Sequence, residues 1–270
     1  MSLKVVIVGA AGRMGQALIR CIARGAVPEI ALEGAVDLWD SPQRGLDAGR
    51  AAGAADLGVV IGSDLAAVAP GADVIVDFSG PHGTAGNAPR CAQWRKPLVI
   101  GTTGLNAEQQ TAVTAAARSI PVVSSPNMSL GVNLLLDLVE RAARALREKG
   151  YDIEIMERHH RLKKDAPSGT ALALGRSAAA GYGWDADAVS AHGRSGTPGV
   201  RPEKQIGFHA IRGGDLIGDH SVLFAADGEC LELSHRATSR ETFALGALRA
   251  AKWAVGRAPG LYTMRDVLGL

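Results

Sequence analysis

Lys4-Val5-Val6-Ile7-Val8-Gly9-Ala10-Ala11-Gly12-Arg13-Met14-Gly15 decides the fold. A short β-branched run reads as a parallel strand buried on both faces. It ends in Gly-x-x-Gly-x-x-Gly, and a helix pattern follows from Arg13 to Arg24. Glycines at these positions permit a tight turn, let the backbone approach a pyrophosphate, and let the helix pack close to its sheet. The helix N-terminus adds free N–H groups and a partial positive charge, which suit phosphate. A glycine turn alone is a weak signal, but here it follows the first strand and opens a helix.

Further strand patterns extend the unit. Leu32 to Val36 ends at Asp37, and Val59 to Ile61 is a weaker run. Asp73 to Phe78, Pro97 to Ile100 and Pro121 to Val123 follow. Alanine-rich helical stretches such as Glu108 to Arg118 separate several of them. Strand and helix alternating at this spacing imply an α/β, Rossmann-type parallel sheet. Asp37 lies roughly 20 residues beyond the turn, where an acidic residue holds the adenosine ribose hydroxyls. A carboxylate there repels a 2′-phosphate, and Leu38 and Trp39 bring no cation. NADH is therefore the expected preference, while Arg13 leaves NADPH use open. Gly101-Thr102-Thr103-Gly104 and Ser125-Pro126-Asn127-Met128 follow later strands on the same edge. They could hold the nicotinamide ribose and carboxamide, or act as helix caps.

The pattern then changes. Val132 to Lys149 reads as a long amphipathic helix with Leu134, Leu135, Leu138, Ala142 and Leu146 on its apolar side. Arg147 and Lys149 fall in its last turn, and Gly150 is its stop. Tyr151, Ile153 and Ile155 alternate with Asp152 and Glu154, as in a half-buried strand. Strand-like segments recur at Gln205 to Ile211, His220 to Phe224 and Cys230 to His235. They imply a second, α+β domain with a mixed or antiparallel sheet. Ala191 to Arg201 reads as a mobile loop, and Ser239 as the N-cap of a helix running to about Gly256. The expected domains are 1–128 with 239–270, and 129–238.

Composition narrows the function. A chain of 270 residues suits two domains, and a net charge of +2 without a basic tract gives no reason to expect nucleic acid. No 18-residue apolar run predicts a membrane span, and the N-terminus lacks the layout of a signal peptide. Cys21, Cys91 and Cys230 are scattered, as in a reduced cytoplasmic protein.

The densest chemistry is Glu157-Arg158-His159-His160-Arg161-Leu162-Lys163-Lys164-Asp165-Ala166-Pro167-Ser168-Gly169-Thr170-Ala171. Adjacent histidines on a strand face opposite ways, so they suit acid/base work better than one metal ion, and no metal is expected. Lys163 and Arg161 bring positive charge for a carboxylate. Amides at Gly169 and Thr170 open a helix and would form an anion site. A solvated basic loop before an ordinary serine cap would look similar.

The string His-His-Arg-x-Lys-x-Asp-Ala-Pro-Ser-Gly-Thr-Ala resembles the motif of the 4-hydroxy-tetrahydrodipicolinate reductase family. The resemblance extends through Gly9 to Gly15, Gly101 to Gly104, Ser125 to Ser129, Arg212-Gly213-Gly214-Asp215, His235 to Arg240 and Met264 to Leu268. It implies an NAD(P)H-dependent oxidoreductase of the diaminopimelate route to lysine, working as a homotetramer on a small dicarboxylate. It further implies His159 as the catalytic proton donor or acceptor, Lys163 as a second proton donor, and His160, Gly169 and Thr170 as substrate contacts. The implied cofactor contacts are Gly9, Ala10, Ala11, Gly12, Arg13, Met14, Asp37, Gly101, Thr102, Thr103, Ser125, Pro126, Asn127 and Met128. Some members of that family carry an arginine after the acidic residue, where this chain has Leu38. The competing readings are another two-domain amino-acid or semialdehyde dehydrogenase, and a non-catalytic dinucleotide sensor.

Overall fold

The structure is a computed structural model and describes residues 2–270. The chain forms two compact units, one running to Leu130 and resuming over Glu241–Leu270, the other spanning Gly131–Arg240.

The first unit is built on β1 (Leu3–Val8), α1 (Arg13–Ala23), β2 (Ile30–Val36), α2 (Ala48–Ala51), β3 (Ile61–Gly62), α3 (Leu65–Val68), β4 (Val74–Asp77), α4 (Pro81–Gln93), β5 (Leu98–Ile100), α5 (Ala107–Ala116) and β6 (Pro121–Ser124). The second holds α6 (Leu130–Leu146), β7 (Asp152–His159), α7 (Gly169–Tyr182), α8 (Ala186–Val189), β8 (Ser190–His192), β9 (Ile206–Arg212), β10 (Gly218–Ala226) and β11 (Glu229–Ala237). The chain then returns to the first unit with α9 (Glu241–Ala254), β12 (Gly260–Tyr262) and α10 (Met264–Leu268).

The first sheet has seven strands in the order β12-β6-β5-β4-β1-β2-β3, and every pair is parallel. Val5, Val6, Ile7 and Val8 are all buried, which is why the strand reads as an unbroken apolar run. The chain winds outward from β1 through β2 and β3, then crosses back to β4 on its other side. That reversal opens a crevice beyond the carboxyl ends of β1 and β4, the usual ligand position in such sheets. Small buried residues of α9 (Ala244, Gly246, Ala247, Ala250 and Ala251) bring that helix close to the sheet. A Cβ on Gly246 would lie 1.8 Å from the Met128 carbonyl oxygen.

The second sheet has the order β11-β10-β7-β9-β8. β10 is antiparallel to both neighbours, while β7, β9 and β8 run parallel. Along β7 one face carries Ile153, Ile155, Glu157 and His159, all buried, and the other Asp152, Glu154, Met156 and Arg158. The buried face packs with Leu135, Val139 and Ala143 of α6 and Leu174 and Ala178 of α7. Burying each branched aliphatic side chain contributes about 1.5–3 kcal/mol.

Several expectations shift. Of the leucines assigned to the apolar side of α6, Leu135 is buried but Leu134 and Leu138 are exposed. The buried stripe includes Val132, Leu135, Val139 and Ala143, with Asn133 and Asp137 also inside. The helix ends at Leu146, before Arg147 and Lys149, because the backbone turns left-handed already at Glu148 (φ 61°) and again at Gly150 (φ 78°). The third strand is Ile61–Gly62 only, and Val60 bridges to Asp47 instead. α9 begins at Glu241, two residues past Ser239. The stretch expected to be a mobile loop starts inside β8, and it is tied to β7 at both ends. Arg194 and Arg201 each bond Glu154, and Arg201 also bonds Asp152 and the carbonyls of Ile153 and Gln205.

Candidate active site

Two sets of candidate residues emerge, one in each unit. In the first, Gly9 ends β1 with φ 80°, and a Cβ there would lie 2.7 Å from the Phe78 carbonyl. A Cβ on Gly15 would sit 2.1 Å from the Gly9 carbonyl, and one on Gly101 would enter the Phe78 ring at 2.0 Å. These three glycines let β1, β4 and β5 end in close contact. α1 has Gly12 as its N-cap with no side-chain cap bond, so its first amides are left for an external acceptor. A pocket of about 270 Å³ opens here, lined by Gly9, Gly12, Asp37, Leu38, Asn87 and Arg90 among others. Its bare helix terminus and its single carboxylate suit the phosphate and ribose of a nucleotide.

Asp37 also has a structural role. Its Oδ2 accepts the Ala11 N–H at 2.6 Å and its Oδ1 accepts the Leu38 N–H at 2.8 Å. The Ala11 amide is therefore engaged inside the turn, unlike the free amide the sequence suggested. Leu38 and Trp39 are exposed, and the Arg44 guanidinium stacks 3.8 Å from the centre of the Trp39 ring. Thr102 is buried and its hydroxyl bonds that of Thr84 at 2.8 Å, while Thr103 is exposed. Ser125 donates to the Asn127 carbonyl, and the Asn127 side chain accepts the Ser129 N–H. Pro126 is exposed, but the Met128 side chain lies in the apolar core, which leaves only its backbone for a ligand. Ala10 is buried, and Arg13 and Met14 open α1.

A residue the sequence reading passed over organises this edge. Asp77, fully buried at the end of β4, accepts from the Ser79 amide and hydroxyl, the Thr84 hydroxyl and the Asn87 amide. The strand-end aspartate was legible in the sequence, but its partners Thr84 and Asn87 sit on α4 and were not.

In the second unit, β7 ends at His159, and the loop to α7 carries the remaining chemistry. The His160 N–H bonds the Leu216 carbonyl, the Arg161 N–H that of Gly214, and Gly213 donates to the His159 carbonyl. The loop is thus laced to the turn between β9 and β10. Ser168 caps α7, accepting the Ala171 N–H at 3.1 Å, with exposed Gly169 and then Thr170 opening the helix. The Lys163 ammonium pairs with Asp165.

Glu157 sits at the centre and is 1% exposed. Its Oε2 lies 2.6 Å from His159 Nδ1 and accepts from Arg212 Nη1 at 2.7 Å. Its Oε1 accepts from Arg212 Nη2 at 2.7 Å and from the Ser168 N–H at 3.0 Å. Burial alone would raise this carboxyl, but Arg212 and His159 more than offset it and hold it below the usual range. His159 is itself shifted down by burial, with Glu157 pulling the other way. His220 lies beside it, ring centres 5.1 Å apart, with Nε2 3.0 Å from the Ser168 hydroxyl. Burial brings His220 down to about 4, so it is neutral near pH 7. Glu157 shares a strand face with His159 by simple alternation. The sequence showed that proximity but not the burial.

Fold and sites together define a two-domain, NAD(P)H-dependent oxidoreductase. Comparison with known proteins narrows the class. Residues 3–128 match the family model for the N-terminus of dihydrodipicolinate reductase, and residues 131–268 match that for its C-terminus. The chain belongs to the dihydrodipicolinate reductase family. It is 53% identical over 270 residues to the 4-hydroxy-tetrahydrodipicolinate reductase of Thiobacillus denitrificans, covering 100% of both chains. It is 49% identical to that of Anaeromyxobacter dehalogenans, covering 99% of this chain and 98% of the other. Among solved structures, a dipicolinate-bound dihydrodipicolinate reductase from Paenisporosarcina sp. TG-14 shares the fold. Its TM-score is 0.77 at 24% identity, covering 98% of this chain and 99% of that one.

Proposed function

We propose that this protein reduces 4-hydroxy-tetrahydrodipicolinate to tetrahydrodipicolinate in the diaminopimelate route to lysine, with NADH as the preferred donor. The overall change adds one hydride and one proton to the substrate ring and releases water. A bound reduced nicotinamide supplies the hydride. His159 and Lys163 supply the proton, and His160 and the α7 amides at Gly169 and Thr170 hold a substrate carboxylate. Residues 1–128 with 239–270 bind the dinucleotide, through the turn and strand-end residues from Gly9 to Met128 named above. Residues 129–238 bind the substrate.

One observation carries this reading. Glu157 bonds both His159 and the Ser168 amide, so the acid/base imidazole and the anion-binding helix start share one buried anchor. The carboxylate of Asp37, the one acidic group lining a pocket whose one cation is Arg90, with uncharged Leu38 after it, supports a ribose bearing two free hydroxyls over one bearing a 2′-phosphate. The exposed edge strand β11 supports assembly through the mixed sheet into a homotetramer. The free cysteines suit the cytoplasm.

A coupled assay tests the reaction. Oxidation of NADH should require aspartate semialdehyde, pyruvate and the synthase that joins them. Oxidation of NADH with aspartate semialdehyde alone would instead make the protein an aldehyde reductase, and reduction of NAD+ by that aldehyde would make it a semialdehyde dehydrogenase.

A further inference from the structure

Glu157 has four donors on two oxygens: His159 Nδ1 and Arg212 Nη1 on Oε2, Arg212 Nη2 and the Ser168 N–H on Oε1. An ionised carboxylate offers about four lone-pair sites and no proton. All are used here, and the bidentate guanidinium is the strongest form of such contact. The carboxylate therefore has no hydrogen to give to the imidazole. The 2.6 Å contact requires the hydrogen to sit on His159 Nδ1. In the neutral ring, Nε2 is then bare and carries the working lone pair.

The surroundings agree. A Cβ on Gly218 would lie 3.1 Å from His159 Nε2, so glycine at the start of β10 keeps that nitrogen clear. The Arg212 guanidinium also donates to the Asp165 carbonyl at 2.6 Å, so the same ion pair pins the catalytic loop. The charged or titratable groups around the ring are Glu157 on its own strand, Arg212 on β9, His220 on β10 and Lys163 on the loop.

We infer that Glu157, held ionised by Arg212, is a positioning residue that locks His159 in the Nδ1–H form and presents Nε2 as the atom that loads and delivers the proton. This rests on the acid/base role proposed for His159, but the lock can be measured without turnover. The carboxylate also stabilises the imidazolium formed each time the ring is recharged, since an adjacent negative charge favours the protonated ring.

Nitrogen-15 NMR of histidine-labelled protein, with His159 assigned through His159→Gln, reads the tautomer directly. The wild-type ring should be the Nδ1–H form above its titration, and an Nε2–H ring overturns the inference. Glu157→Gln should release the tautomer and lower kcat by at least about 10-fold, as expected when a catalytic imidazole loses its orienting carboxylate. The alkaline limb of the kcat profile should move to lower pH in that variant. In a His159→Gln background the same change should cost less in kcat than it does in the wild type, the remainder being the loosened α7 start and loop. An equal cost in both backgrounds, or an unchanged tautomer in Glu157→Gln, overturns the inference. If Glu157→Gln does not fold, because Arg212 is left without its counter-charge, the wild-type tautomer decides alone. Wild-type turnover by His159→Gln would instead overturn the proposed role of His159 and leave the NMR result standing.

Discussion

The Lys163 ammonium lies 2.9 Å and 2.8 Å from the two oxygens of Asp165. On the proposed reading, a substrate drawing its proton from Lys163 must displace or share with that internal carboxylate. Asp165 is 63% exposed, and ion pairs so open to water are worth about 0–1 kcal/mol. Asp165→Asn should therefore lower KM for the dicarboxylate substrate, and Ki for pyridine-2,6-dicarboxylate, by up to about five-fold. A rise in both constants would show that Asp165 holds Lys163 in place for substrate.

The proposed proton donors are His159 and Lys163, and general acid catalysis is worth roughly 10²–10⁴ in rate. His159→Gln and Lys163→Ala should each reduce kcat by at least about 10²-fold with NADH saturating. Neither change alters the dinucleotide turn, so the dissociation constant of NADH, measured by fluorescence titration, should move little. Near-normal turnover in both variants would remove these side chains from the chemistry.

What the sequence reveals depends on how local the physics is. β1 and the Gly9-to-Gly15 turn are legible because two-sided burial and glycine sterics act within a dozen residues. β7 is legible from its alternation, but its parallel pairing with β9 is not, since nothing in a strand's period names its neighbour. α6 misleads for a related reason. Its leucines suggest one face, while the structure also buries Asn133 and Asp137 and leaves Leu134 and Leu138 outside. In the site, His159, Lys163 and the α7 start sit in one dense segment. Arg212 and His220 reach it only through strand pairing. A charged residue such as Glu157 reads as solvated until the guanidinium that allows its burial is seen.

On the proposed reading, cofactor choice turns on the residue after Asp37. Leu38 is 70% exposed and brings no charge. The wild type should show a higher kcat/KM with NADH than with NADPH, and a tenfold advantage for NADPH would defeat the reading. Leu38→Arg should raise kcat/KM for NADPH by roughly 10-fold, the return on one charge-assisted phosphate contact of about 1.4 kcal/mol. Its effect on NADH should be small, because Asp37, the proposed partner of the ribose hydroxyls, is unchanged.

Gly15 sets two effects against each other. Alanine is favoured over glycine inside a helix by about 1 kcal/mol. Here the added Cβ would lie 2.1 Å from the Gly9 carbonyl and 2.6 Å from the Ala10 Cα, both backbone atoms that cannot swing aside. Overpacking of this kind costs about 1–3 kcal/mol or more, so the clash wins. Gly15→Ala should lower Tm and shrink the rise in Tm that NADH produces, read by differential scanning fluorimetry. A variant as stable as wild type with an unchanged NADH shift would mean that the turn relaxes freely.

Glu154 makes acid the weak side of the second unit. It faces Arg194, Arg201 and His209. Burial works to raise its carboxyl, yet those three partners bring it down to about 2 from an ordinary 4.5. A carboxylate depressed on folding adds stability that is complete above its unfolded pKa and lost as pH falls through the folded one. The loss should therefore run from about pH 4.5 to about pH 2, and at roughly 1.4 kcal/mol per unit it amounts to about 3 kcal/mol at most. Glu157, also depressed, contributes in the same direction. Glu154→Gln should be less stable than wild type near pH 7, and the gap should close as the pH falls from about 4.5 to about 2, measured by urea unfolding. A gap between them that stayed constant over that range would assign the loss to packing and not to the carboxylate's charge.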